Sequence, residues 1–306
     1  MNWQLLPQFA VSGLLAGGPL ALIALGIVLI FKSTYIFNFA QGQMLLLGAT
    51  ITWWFAVEQG LPLGLSILLA LAASALLGLL IQRLALRPMT GQPLLSIVLM
   101  TLGLSQTLQG LTLLLFGGAQ RNFPQIFESA NPYKITTPFT TDGNPIVIIL
   151  KQNLVWSFIA AILGVILIGA FFKFTRTGLA MRATSEDHET AQSVGLSIQR
   201  IFALSWALAG AVATIGGVLL ATASGLDLSL SLVVLSAFPV VLLGGLESIA
   251  GAIAGGLIIG LSQGVVVVAK DPVIRGSAEI MPYIILLIVL LIRPQGIFGQ
   301  KRIERV

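Results

Sequence analysis

The chain of 306 residues is 57% hydrophobic and only 9% charged, with a mean hydropathy of +0.99, against roughly a quarter charged in an ordinary soluble domain. Its 16 Lys and Arg against 11 Asp and Glu give a net charge of +5, but the basic residues sit at the ends of apolar runs and form no polar basic face, which excludes a nucleic-acid surface. With no cysteine, disulfides, thiolate metal sites and a cysteine nucleophile are excluded as well.

Uncharged runs at 1–31, 33–57, 59–82, 88–120, 152–172, 201–226, 228–246 and 248–269 are apolar on every face, so they read as membrane helices and not as the alternating strands of a barrel. An all-α, polytopic transmembrane bundle of about eight to nine spanning segments, some short or broken, is expected. The first helix, 9–31, carries Gly13 and Gly17 and follows no Lys or Arg, so it reads as a retained span and not a signal peptide. A second, 36–57, starts near the polar cluster Asn38, Gln41, Gly42 and Gln43. The third, 62–82, ends at Arg83 and Arg87, and the fourth, 94–116, has Thr101, Ser105, Gln106 and Gln109 on one side. These four either line a cavity or bond to a neighbouring helix.

Residues 117–151 form an external surface loop, with Asn131-Pro132 and Asp142-Gly143 as turn signals. A fifth helix, 153–173, precedes the polar segment 175–200. A sixth, 200–223, is followed by a short one, 229–245, in which Pro239 removes a backbone donor and Gly244-Gly245 ends the run. The helix 248–269 repeats glycine at 251, 255, 256, 260 and 264, a spacing that lets helices approach closely, and 279–293 completes the set. Lys32, Arg83 with Arg87, Lys173 with Arg176 and Arg182, and the tail Arg293, Lys301, Arg302 and Arg305 define the cytoplasmic side. Nine crossings then place the N-terminus outside and the C-terminus inside; eight crossings plus a re-entrant segment is the competing count. The whole of 1–306 reads as one membrane domain.

Chemistry is concentrated in two kinds of place. In the cytoplasmic segment, Thr184 or Ser185 is expected to cap a helix of about ten residues, Glu186, Asp187 and Glu189 to oppose its dipole, and Gly195 to end it with Leu196 beyond. Such a knob either docks into a soluble partner or serves as a plain connector. Interrupted helices are the other place, because freed backbone groups must face protein or a water-filled cavity. Candidates for a translocation path are therefore Asn38, Gln41, Gly42, Gln43, Gln106, Ser236, Pro239, Gly244 and Gly245. For Asn38 an interhelical hydrogen bond is an equally good role. His188 is the only histidine, no metal set accompanies it, and no catalytic constellation or phosphate loop is present, so neither an enzyme nor an ATP site is expected.

The spacing Glu189, Ala191, Gly195 resembles the Glu-x-Ala-x-x-x-Gly pattern by which ABC importer permeases contact their ATPases. Asn38-Phe39-Ala40-Gln41-Gly42, Arg83 to Pro88, Thr177-Gly178 to Arg182-Ala183, Val241 to Gly245, and Arg293 to Gly299 resemble the branched-chain amino-acid ABC permeases of the Liv type, first membrane subunit. Gln41 and Gln43 stand where that family commonly has His and Glu, and Glu247 where a small residue is usual. The resemblance implies a permease for neutral, branched-chain or other hydrophobic amino acids in a bacterial inner membrane. It also implies a second related permease, two cytoplasmic ATP-binding subunits that carry the ATP, and an extracytoplasmic substrate-binding protein. A permease for urea or short amides, a self-sufficient channel or secondary carrier, and a membrane scaffold without a pore are the alternatives.

Overall fold

The computed structural model describes residues 5–126, 131–141, 144–186, 188–270 and 276–299. It is an all-helical bundle with one small hairpin: α1 (Leu6–Thr34), α2 (Gln41–Trp53), α3 (Leu63–Ile81), α4 (Leu94–Phe116), β1 (Tyr133–Thr141), β2 (Asn144–Leu150), α5 (Gln152–Phe174), α6 (Arg176–Glu186), α7 (His188–Ser193), α8 (Ile198–Ser224), α9 (Val234–Gly244), α10 (Ile249–Lys270) and α11 (Ser277–Ile292). A π-helical turn, Trp54–Glu58, prolongs α2, and a 3-10 stretch, Leu228–Val233, leads into α9.

Among the described residues six helices, α1, α3, α4, α5, α8 and α10, are long and apolar enough to cross a membrane. The rods 41–58, 228–244 and 277–292 are shorter, yet each links the two ends of the bundle. Trp53 at the far end of α2 donates its Nε1–H to the Asn122 carbonyl, while Leu228 lies by Gly118 and Gly244 packs on Gly251 at the opposite end. Six 3-10 residues at about 2 Å and eleven α residues at about 1.5 Å span about 28 Å, close to the hydrocarbon thickness. The stretched 3-10 turn is what lets seventeen residues traverse. These contacts fit the nine-segment alternation, whereas a re-entrant 228–244 would return to the end it left.

Between helices in hydrocarbon there is no hydrophobic driving force, so close packing of small residues holds the core. Along the seam of α1 with α10, the Gly-x-x-x-Gly rows meet each other: a Cβ on Gly17 would fall 2.4 Å from the Gly256 carbonyl oxygen, and one on Gly13 2.4 Å from that of Gly260. Across α3 and α8, Ser74 Oγ and Thr214 Oγ1 hydrogen-bond at 2.6 Å in the buried centre. Helix α2 is almost wholly enclosed, least so along Gln43, Leu47, Ile51 and Trp54.

The loop 117–151 contains structure that the turn signals only hinted at. Strands β1 and β2 pair antiparallel, from Tyr133 opposite Leu150 to Thr141 opposite Asn144, with an irregularity between Thr136 and Thr140. Ile148 and Leu150 are buried while Val147 and Ile149 are exposed, the period of two expected of a strand with one face on the bundle. Gln8 of α1 bonds both the N–H and the carbonyl of Ile149, which ties the hairpin down. The Asp142-Gly143 turn signal lies outside the described residues.

Candidate coupling surface and translocation path

At the basic end of the bundle the polar segment is helical over Arg176–Glu186 and His188–Ser193. Thr175 is the residue that caps: its Oγ1 accepts the Gly178 N–H at 2.9 Å, satisfying a free amide of the first turn of α6. Thr184 and Ser185, expected to cap, instead lie within the helix and donate to the carbonyls of Ala180 at 2.9 Å and Arg182 at 2.7 Å. The correction has a local cause. The stretch Thr175-Arg176-Thr177-Gly178 begins a helix as soon as α5 ends, so the hydroxyls nine and ten residues on lie inside a helix already begun and meet carbonyls, not free amides. Asp187 lies outside the described residues, as do the side chains of His188 and Glu189.

Gly195 ends α7 as expected. With φ at +88° it donates to Gln192 at 3.0 Å, and Leu196 donates to Ala191 at 3.1 Å, the paired bonds of a Schellman stop. Ala191 is buried and Met181 of α6 is fully buried, which fixes the knob on the bundle, whereas Val194 is 72% exposed beside Gly195. The Tyr35 hydroxyl donates to the Ser185 carbonyl, and the charges of Glu247, Arg182 and Glu186 act on Lys32 at the end of α1. Tyr35, the residue that caps the end of α1, thus ties that helix to the knob. No local pattern marks Tyr35 for this, apart from its aromatic hydroxyl next to a polar turn.

The interruption before α2 is a built turn. Tyr35 takes a left-handed conformation at φ +55°, which stops α1. Asn38 is fully buried; its Oδ1 accepts the Ala40 N–H at 3.0 Å, and its Nδ2 donates to Gln41 Oε1 at 3.0 Å. Gln41 Nε2 reaches across to the Ala209 carbonyl of α8 at 3.4 Å. Gly42 lets α2 approach the Ser231 carbonyl of the 3-10 stretch, since a Cβ there would sit 2.2 Å from that oxygen. Gln43 differs from its neighbours: its side chain is 8% exposed, and its Oε1 is buried and accepts no hydrogen bond among the described residues. Rings of Phe37, Phe39 and Phe238 pack together at 5.1 to 5.4 Å beside this turn and link it to α9.

Ser236, on α9, is half-buried and Pro239 buried. Gly244 packs on Gly251, and Gly245, at φ +102°, lies under the C-terminal segment. There Ile297 and Phe298 donate to the carbonyls of Leu243 at 2.8 Å and Gly244 at 3.1 Å, satisfying acceptors that the end of α9 leaves open. On α4 the structure separates residues that the sequence put on one side. Thr101 is buried and points its hydroxyl to the Val98 and Phe37 carbonyls, Ser105 and Gln109 are half-buried, and Gln106 is exposed.

The family model for the branched-chain amino acid transport system permease component matches residues 9–292. The chain is 27% identical over 309 residues to LivH of Escherichia coli K12, a high-affinity branched-chain amino acid transport system permease protein, covering 98% of this chain and 97% of that one. It is 28% identical over 310 residues, with the same coverage, to BraD of Pseudomonas aeruginosa, which carries the same description. A probable LivH of Methanocaldococcus jannaschii is 30% identical over 305 residues, covering 94% of this chain and 91% of its own. No solved structure matches the chain at a significant level.

Proposed function

The chain belongs to the branched-chain amino acid permease family, and on that premise we propose that it forms one half of the membrane channel of an ABC importer for neutral, branched-chain or other hydrophobic amino acids. A family match from end to end, together with a rigid knob that leaves Val194 exposed beside a Schellman stop, is the observation that carries this reading. The partners are a second related permease, two cytoplasmic ATP-binding subunits that dock on the segment 175–200, and an extracytoplasmic binding protein at the end bearing the loop 117–151. Residues 1–306 act as one membrane domain. Lys32, Arg83, Lys173 and Arg182 face the cytoplasm of a bacterial inner membrane, which sets the N-terminus outside and the C-terminus inside. The chain itself performs no chemistry; ATP binds to the partner subunits.

Coupling runs through Arg182, Thr184, Ser185, Glu186, Asp187, Glu189, Ala191 and Gly195. Tyr35 and Lys32 pass the knob's movement to α1 and to the turn before α2. Gln43 and Gln106 are the strongest path-lining groups, because an amide in the membrane without an internal partner needs water, protein or substrate to satisfy it. Hydrogen bonds within the chain already satisfy Asn38 and Gln41, so they hold the path's shape. The test is uptake by vesicles containing the complete set of subunits, competed with a panel of amino acids and urea. Uptake that needs ATP and is blocked best by leucine, isoleucine or valine supports the proposal; uptake without any ATPase subunit, or blocked by urea alone, would refute it.

A further inference from the structure

Opposite charges that share a half-buried site ordinarily pair, because each is costly to hold away from bulk water without a partner. Arg121 and Asp227, both half-buried, line the same small, half-open recess at the end of the bundle that bears the loop 117–151. Yet neither forms an ion pair with the other or with any further group among the described residues. Each is pinned by its own neighbours instead. The Arg121 backbone pairs with that of Leu226 through two hydrogen bonds, at 2.9 and 3.0 Å, and its guanidinium lies 4.2 Å from the centre of the Trp53 ring and donates to the Phe116 carbonyl. Asp227 Oδ1 accepts both the N–H of Ser229, at 2.7 Å, and its hydroxyl, which leaves Oδ2 open. A cation and an anion thus stand fixed in one recess, each with bonding capacity to spare.

Such a recess is neutral as a whole and selective through its two charges. A lone anion also meets the Asp227 carboxylate and a lone cation the Arg121 guanidinium, whereas a group carrying both charges a few bonds apart satisfies both. Urea, being uncharged, makes neither ion pair. Leu46, Leu226 and Leu228 wall the recess, and apolar walls strengthen charge-assisted bonds by keeping water out. Thr50 of α2 also lines it. Gln43, whose Oε1 is buried without a hydrogen-bond partner among the described residues, lies seven residues before Thr50, about two helical turns deeper on the same face of α2. The recess therefore stands above the path-lining amide, at the end where substrate arrives. We infer that Arg121 and Asp227 form an outer binding site for the head group of a zwitterionic α-amino acid, its carboxylate on Arg121 and its ammonium on Asp227. Being small, the recess holds the head group and leaves the side chain outside it. The inference rests on the importer reading for the direction of entry and for an amino acid as cargo.

The experiment uses the complete membrane complex in nanodiscs, without the binding protein, whose own selectivity would mask that of the recess. Photo-leucine, a leucine analogue with a diazirine in its side chain, is the probe. Irradiation should label residues within 46–53, 112–121 or 226–231, and excess leucine should protect them. Leucinol, which lacks the carboxylate, 4-methyl-2-oxopentanoate, which lacks the ammonium, and urea should not protect. Asp227→Asn keeps an oxygen to accept the Ser229 N–H while removing the charge, so labelling should fall at least tenfold with the melting temperature unchanged. Arg121→Gln should lose labelling as well, and if it also loses the fold through its contacts with Trp53 and Phe116, Asp227→Asn decides alone. Native labelling of Asp227→Asn, equal protection by leucinol or the oxo acid, labelling confined to other segments, or a signal that changes with phosphatidylethanolamine in the nanodisc, whose head group carries the same two charges, would overturn the site. Absence of ATP-dependent leucine uptake by the native complex with its binding protein would instead defeat the importer reading itself.

Discussion

Replacing Asn38 with Ala removes one acceptor and one donor from a site with no solvent access. The Ala40 N–H and Gln41 Oε1, each bonded to Asn38 at 3.0 Å, would be left unpaired beside a fully buried Gln41. Each orphaned buried group costs about 1–3 kcal/mol, so the turn between α1 and α2 should lose about 2–6 kcal/mol, a large share of an ordinary stability of about 5–15 kcal/mol. The expected outcome is a lower melting temperature and a reduced yield of monodisperse protein in detergent. Asn38→Ser, whose hydroxyl can still accept the Ala40 amide, should fall between native and Ala. In a double-mutant cycle with Gln41→Ala the pair should couple by about 1 kcal/mol. Thermal unfolding followed by size-exclusion recovery measures all of this. A native melting curve for Asn38→Ala combined with a raised KM for uptake would refute the reasoning, because the amide would then be serving substrate and not the turn.

Gly195→Pro cannot adopt φ near +88° and loses the N–H that bonds Gln192, so it should unravel the stop of α7; ATPase activity of the complex should persist while uptake drops by more than tenfold, and matched losses in both would argue against a coupling role. Gly256→Leu forces side-chain atoms into Ala21 and the Gly17 backbone, where a Cβ alone already sits 2.6 Å from a neighbour; a destabilisation of about 1–3 kcal/mol from overpacking is expected in the same melting assay. Gly296→Val combines φ +80° with a Cβ 2.7 Å from the Leu242 carbonyl; it should free the C-terminal segment from α9, seen as faster proteolysis after residue 293, with the helices still inserted.

Much of the architecture was legible because hydrocarbon imposes length and internal hydrogen bonding on every span. That constraint acts on each segment alone, so α1, α3, α4, α5, α8 and α10 can be read from runs of apolar residues. Gly195 was legible for a similarly local reason: only glycine takes a left-handed stop cheaply. Strands β1 and β2 escape the sequence because the nine residues of β1 are of mixed polarity and β2 is apolar on both faces from Ile146 to Leu150, so neither carries a clear period-two signal. Thr184 and Ser185 do not cap, although a hydroxyl followed by acids looks the same at a helix start as within a helix.

Composition and periodicity by themselves thus determined the solvent of this chain, where its long apolar helices run, where its positive charge gathers and where the knob stops. Only the tertiary structure decided that Asn38 bonds Gln41 while Gln41 reaches inward to Ala209, that the Gly244-Gly245 turn receives Ile297 and Phe298, and that Gln106 turns away from the core while Thr101 turns into it. The reason is physical. A span's length and capping depend on residues within a few turns, whereas the partner of a buried amide or an open carbonyl is chosen by which distant helix arrives beside it.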